Sequence, residues 1–121
     1  MPEHCPFCAT NWENLDIVER PDSNPETLII RPLNPVVEGH VLVICKPHTA
    51  NASADASVAQ HLMYLAARYV ARHQLQANII TSVGPDATQT VFHTHVHVVP
   101  RRPGDGLPLP WTGQKKAGED K

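Results

Sequence analysis

The chain lacks any apolar run long enough to cross a bilayer. Its longest such stretches, residues 27–30, 40–45 and 78–83, fall far short of the roughly 20 residues that a spanning helix needs, so no membrane segment is expected. The opening Met1-Pro2-Glu3-His4-Cys5 has neither a basic start nor an apolar core, which makes cytoplasm the default expectation. Cysteine is scarce, with three residues in 121, and in a reducing compartment these are poor disulfide candidates. Asn51-Ala52-Ser53, formally a glycosylation sequon, then reads as ordinary loop. Positive charge is not in excess either: ten Lys and Arg against twelve Asp and Glu give a formal net charge of -2. That balance argues against long nucleic acid held through its phosphates and leaves a small anionic substrate open. Internal repeats are also missing.

What is present fits one domain with a modest core. Thr27 to Arg31 and His40 to Cys45 are β-branched and apolar runs of strand length, separated by the turn-like Pro32 to Gly39, and predict a hairpin or two adjacent strands. Between Ser53 and Gln74 the residues Val58, Leu62, Leu65, Ala66, Tyr69 and Val70 recur at helical spacing, with Ser53 or Asp55 as the cap. Asn78 to Val83 predicts a strand, Gly84-Pro85-Asp86 a turn, and Thr90 to Val99 a long alternating strand antiparallel to the one before it. The expectation is an α+β domain on an antiparallel sheet, occupying residues 1–103. Residues 104–121 turn to Pro, Gly and charge, predicting a loop that passes into a disordered tail beyond Gly113.

The informative residue is histidine. Eight occur in the chain, and three stand at alternate positions in His93-Thr94-His95-Val96-His97. Independent placement would produce that triplet about 0.03 times in a chain of this composition. On a strand the three imidazoles share one face about 6.6 Å apart, while Phe92, Thr94, Val96 and Val98 share the other and read as core. Three readings follow. The face is simply polar; or the imidazoles bind a catalytic metal; or they act as nucleophile and donors near neutral pH. Few acids and no histidine follow His97, which leaves a metal-ligand cluster short of partners downstream.

The run Gln89-Thr90-Val91-Phe92-His93-Thr94-His95-Val96-His97-Val98-Val99-Pro100-Arg101 resembles the signature of the histidine triad (HIT) superfamily. Pro35-Val36-Val37-Glu38-Gly39-His40-Val41-Leu42-Val43-Ile44 is similar to that family's upstream glycine-histidine strand, and the order of elements also matches. The resemblance covers roughly residues 5–103. It implies a sheet of about five antiparallel strands with one main helix, and cleavage at the α-phosphate of a small nucleotide such as a nucleoside phosphoramidate or dinucleoside polyphosphate. By the resemblance His95 is the nucleophile that forms a nucleotidyl-histidine, with one ring nitrogen held protonated by a backbone carbonyl. His97 contacts nonbridging phosphate oxygens, Gln89 and Thr90 sit near the scissile bond, and His40 is a hydrogen-bond partner of the triad. A homodimer is implied as well.

Cys5-Pro6-Phe7-Cys8 has the spacing of a zinc knuckle. A redox pair of the same spacing follows a strand and opens a helix, for which four preceding residues leave no room. An unmetallated thiol pair is the alternative. The resemblance implies a structural zinc site completed by His48 and His93, giving the set Cys5, Cys8, His48 and His93, with His4 as an outside candidate. Cys45, at the end of an apolar run, reads as buried.

The chain also departs from the family pattern. Eight residues before His40, where relatives carry Asp or Asn for the ribose, stands Pro32, with Arg31 and Asn34 as neighbours; two before Gly84 stands Ser82. Leu28, Ile29 and Leu33 are candidate pocket walls. Arg101 and Arg102 are either phosphate contacts or surface charges, and Trp111 is a candidate for the substrate mouth or a partner subunit. A zinc-stabilised nucleotide-binding module with little activity is the second functional reading.

Overall fold

The computed structural model describes residues 5–21 and 26–111. Its elements are β1 (Asp16–Glu19), β2 (Thr27–Arg31), β3 (Val41–Cys45), α1 (Ala56–Arg72), β4 (Ala77–Ile80) and β5 (His95–Pro100), with 3-10 turns at Ala9–Asn14 and Pro85–Ala87. The strand order is β1-β2-β3-β5-β4, and every neighbouring pair is antiparallel. This is the expected α+β architecture of five strands and one main helix. No helix among the described residues is long and apolar enough to cross a membrane.

The apolar runs of β2 and β3 arise because the sheet is covered on both faces. Ile29, Val41, Val43, Cys45, Val96 and Val98 pack beneath Leu62, Leu65, Ala66 and Tyr69 of α1. Leu28, Ile30, Leu42 and Ile44 face the other way, under Cys5, Phe7, Cys8 and Trp12. A strand buried on both sides needs no alternation of polar residues. The initial segment is thus a lid over the second face, fixed where the Trp12 indole N–H donates to the Phe7 carbonyl at 2.8 Å. Each such large side chain removed from water contributes about 1.5–3 kcal/mol.

α1 is shorter than its periodicity predicts. Asp55 supplies the cap, its carboxylate accepting from the amides of Ser57 at 3.0 Å and Val58 at 3.3 Å. Ser53 instead falls in a turn organised by Asn51, whose Oδ1 accepts from the amides of Ser53 and Ala54. At the far end Gln74 takes a positive φ of 53°, and the Leu75 amide reaches back to the Val70 carbonyl. That reversal stops the helix.

β1 leaves little mark in the sequence, because it has only four residues, is charged at both ends, and its pairing with β2 shifts register between Ile17 and Glu19. β4 stops at Ile80 rather than Val83. β5 begins at His95, not Thr90: the preceding residues bend, and the Thr94 amide donates to the Thr49 carbonyl at 2.8 Å instead of joining the ladder. The hydroxyls of Thr49 and Thr94, 2.6 Å apart, add to this stitch. Phe92, expected in the core, is consequently 47% exposed, while Thr94, Val96 and Val98 are buried as expected. His4 and the tail beyond Gly113 lie outside the described residues.

Candidate active site and metal centre

Two clusters of donors lie next to each other on the sheet face opposite α1. The bend before β5 turns His93 inward, where it is fully buried. Its Nε2 lies 2.7 Å from the Cys45 carbonyl, which can only accept, so Nε2 carries the proton and Nδ1 presents a lone pair. That lone pair meets Cys5 Sγ at 3.4 Å, Cys8 Sγ at 3.6 Å and His48 Nδ1 at 3.2 Å; Cys8 Sγ is also 3.2 Å from His48 Nδ1. All four donor atoms lie within 4.8 Å of one another. Tetrahedral zinc bonded to two sulfurs and two nitrogens needs edges of about 3.3–3.8 Å, so the donor set fits in both chemistry and size. Burial, reinforced by neighbouring Cys5, pushes the Cys8 thiol up to about 11. A metal ion would displace that proton on binding. The expected set of Cys5, Cys8, His48 and His93 is therefore assembled into a site that can coordinate a metal ion.

The second cluster contains His95, His97 and His40. His95 and His97, both on β5, stand opposite Ile44 and Leu42 of β3, and their ring centroids are 5.1 Å apart. His95 Nδ1 lies 2.8 Å from the His93 carbonyl and so must carry the proton, leaving the lone pair on Nε2. His40 Nδ1 accepts from the Val36 amide at 3.1 Å, so in the neutral ring the proton sits on Nε2 and is donated to His97 Nδ1 at 3.0 Å. The remaining nitrogen of His97, Nε2, then bears a hydrogen. Burial lowers the basicity of His40 and His95, and burial together with the two neighbouring histidines brings His97 down to about 4. All three rings are neutral near pH 7, with one lone pair and one N–H in defined places.

The loop that carries His40 depends on Gly39. Its φ is +91°, and a Cβ there would lie 3.2 Å from Pro100 Cγ. Both conditions favour glycine, and the close approach seats His40 against β5.

Other expected site residues are placed differently. Gln89 is buried: its Nε2 donates to the carbonyls of Ala50 at 2.7 Å and Val91 at 3.0 Å, and its Oε1 accepts from the Gly84 amide at 2.8 Å. Both amide hydrogens are thus already engaged. Thr90 is exposed beside it. Ile29 packs under α1, and Leu28 is sealed beneath the initial segment, so neither forms a pocket wall, whereas Leu33 is 98% exposed. Arg31 pairs with Asp16. Arg101 binds both oxygens of Asp105, Asn78 Oδ1 and the Leu107 carbonyl, so it latches the segment after β5. Arg102 is exposed and donates to the Glu38 carbonyl at 3.3 Å. Trp111 is also exposed.

Phe7 was not singled out from the sequence. Its ring meets those of His95 and His93 edge-on, with centroids 5.2 Å and 6.1 Å away. Its position between the two cysteines was the available signal, but only folding brings the knuckle over β5.

Comparison with known proteins follows the same lines. The profile of the HIT domain matches residues 22–104. The nitrilase and fragile histidine triad fusion protein NitFhit of Caenorhabditis elegans is 36% identical over 91 residues, 69% of this chain but only 20% of that protein. Among solved structures, a Zn-bound histidine triad family protein from Mycobacterium smegmatis has a TM-score of 0.75 and 32% identity, covering 90% of this chain and 83% of that one. A HIT family hydrolase from Clostridium thermocellum has a TM-score of 0.71 and 27% identity, covering 89% and 97% of the two chains. With the family profile spanning well over half of its residues, this chain belongs to the HIT family.

Proposed function

We propose that this protein is a nucleotidyl hydrolase or transferase that cleaves at the α-phosphate of a small nucleotide, either a nucleoside phosphoramidate or a dinucleoside polyphosphate. The observation that carries this reading is the fixed tautomer of His95, whose Nδ1–H is held by the His93 carbonyl. In the first step the Nε2 lone pair attacks the α-phosphorus in line. An N–P bond forms and the bond to the leaving amine or phosphate breaks; the amine takes a proton from solvent and leaves neutral, whereas the phosphate leaves as its anion. In the second step water attacks the same phosphorus. The N–P bond breaks, the nucleoside monophosphate leaves, and the water's proton passes to solvent while His95 returns to neutral. His97 Nε2–H donates to a nonbridging oxygen, and His40 keeps that hydrogen on Nε2 by donating to Nδ1. Thr90 stands near the leaving group.

The metal centre holds zinc in this reading and acts structurally, by tying the initial segment and the loop after β3 to the approach to β5. Similar proteins support these assignments: one is a HIT family hydrolase and another is Zn-bound. A homodimer is part of the proposal. Its support is that β4 ends the sheet order, with Ile80 exposed on it and Val83 exposed in the segment that follows. Sedimentation showing only monomer at micromolar concentration would remove it. The protein acts in the cytoplasm on small nucleotides, without long nucleic acid as a partner.

The test is a panel of adenosine and guanosine phosphoramidates and diadenosine polyphosphates, with acid-labile nucleotidyl-histidine trapped on the protein. Trapping on His95 is expected, and turnover without it rejects covalent chemistry. Pro32, in the place of a ribose-binding acid or amide, favours a second reading, a zinc-stabilised nucleotide-binding module. Calorimetric affinity without turnover across the panel would select that one.

A further inference from the structure

We infer that Gln89 is a positioning residue for the metal centre: its side-chain amide bolts together the two loops that carry His48 and His93. Ala50, whose carbonyl accepts from Nε2 at 2.7 Å, lies two residues after His48. Val91, whose carbonyl accepts the second Nε2 hydrogen at 3.0 Å, lies two residues before His93. The third bond, from the Gly84 amide to Oε1 at 2.8 Å, anchors the same side chain to the turn after β4. The Gln89 amide itself donates to the Gly84 carbonyl at 3.1 Å, so that turn is held from both ends of the residue. Only 4% of Gln89 is exposed.

A primary amide has two hydrogens to give, and here both are given to carbonyls. Donation to a phosphate would require surrender of one buried bond, leaving a carbonyl unpaired at a cost of about 1–3 kcal/mol. The neighbouring Thr49–Thr94 contacts stitch the same two loops farther along. Together they set the separation of His48 Nδ1 and His93 Nδ1, 3.2 Å, through protein bonds alone. Gln89 therefore acts on the ligand geometry and reaches the chemistry of His95 only through it. The inference concerns the metal centre, and only its activity arm rests on the proposed function.

The experiment compares the wild type with Gln89→Met, which has similar length and no amide. Zinc affinity is measured by competition with a chromophoric chelator, and turnover is measured at limiting and saturating zinc. Loss of partners that orient metal ligands typically weakens binding roughly 10–100-fold, and that weakening is expected here. Turnover should return to the wild-type level once zinc saturates. Unchanged zinc affinity with lower kcat, or weakened affinity with turnover that saturating zinc does not restore, overturns the inference. If the variant does not fold, hydrogen exchange of the wild type decides. The Gly84 amide should be protected in the chelator-stripped protein, and exchange as fast as in an open turn overturns the clamp. Should the wild type turn over none of the panel, the proposed function fails while affinity and exchange still decide the role of Gln89.

Discussion

His40 Nε2 lies 3.0 Å from His97 Nδ1, and because the Val36 amide occupies the other nitrogen of His40, the hydrogen bond between the two rings has one direction. The proton belongs to His40 and is donated to His97. An N–H is thereby left on Nε2 of His97, the donor that the proposed reaction uses toward an oxygen of phosphate.

Removal of that donor should cost rate without unfolding the protein. His97→Ala is expected to lower kcat by about 10²–10³, the usual cost of one preorganised donor to developing negative charge. His40→Phe, which keeps His97 but not the direction of its proton, should lower kcat by roughly tenfold. Steady-state kinetics with circular dichroism checks both, and a larger loss in His40→Phe than in His97→Ala would reverse their proposed roles.

His95→Asn should abolish turnover, leaving less than a few per cent of the rate and no nucleotidyl adduct, since the lone pairs of His40 and His97 are already engaged by Val36 and His40. Mass spectrometry of acid-sensitive adducts provides the readout. Residual turnover at a tenth of wild type would eliminate His95 as nucleophile.

Acid should harm both rate and stability. In the proposed reaction the neutral ring of His95 attacks, and burial lowers its affinity for a proton, so the acid limb of kcat/KM should fall below the ordinary histidine value of 6.5. For stability, His97 is down at about 4 in the folded chain against 6.5 unfolded. The unfolded chain therefore binds the extra proton between those values. The contribution is fully present above pH 6.5 and is lost as pH falls toward 4, about 1–2 kcal/mol after allowance for solvent screening. Urea melts of wild type and His97→Gln over that window should converge at low pH. Parallel curves would remove His97 as the cause.

Purified protein should contain close to one zinc per chain, and chelation should lower the melting temperature by several degrees, reversibly. Cys5 and Cys8 belong to the same buried lid as Trp12, which makes the effect global rather than local. Less than about 0.2 zinc per chain after preparation without chelator would dismiss the resident ion.

Gly39→Ala should destabilise the fold by about 1–3 kcal/mol, because the residue would keep a positive φ and crowd Pro100. Equilibrium urea unfolding measures it. A change under 0.5 kcal/mol would show that the loop before β3 can relax without cost.

Much of the molecule is visible in the order of its residues. The apolar runs of β2 and β3, the stripe of α1 and the alternation of His95, Val96, His97 and Val98 are local patterns whose periods report which faces are buried. The spacing of Cys5 and Cys8 likewise announces a metal half-site. Tertiary structure was needed for the rest, because those outcomes depend on atoms distant along the chain. Whether Thr90 to Thr94 continued the strand was decided by Thr49, 45 residues away from Thr94. The task of Gln89 depends on the Ala50 carbonyl, and the tautomers of His93 and His95 on backbone oxygens that no side-chain motif encodes. The histidine triplet thus looks like one uniform row in sequence, yet the fold divides it. A bend sends His93 to the thiols, while the regular pleat beyond it keeps His95 and His97 together.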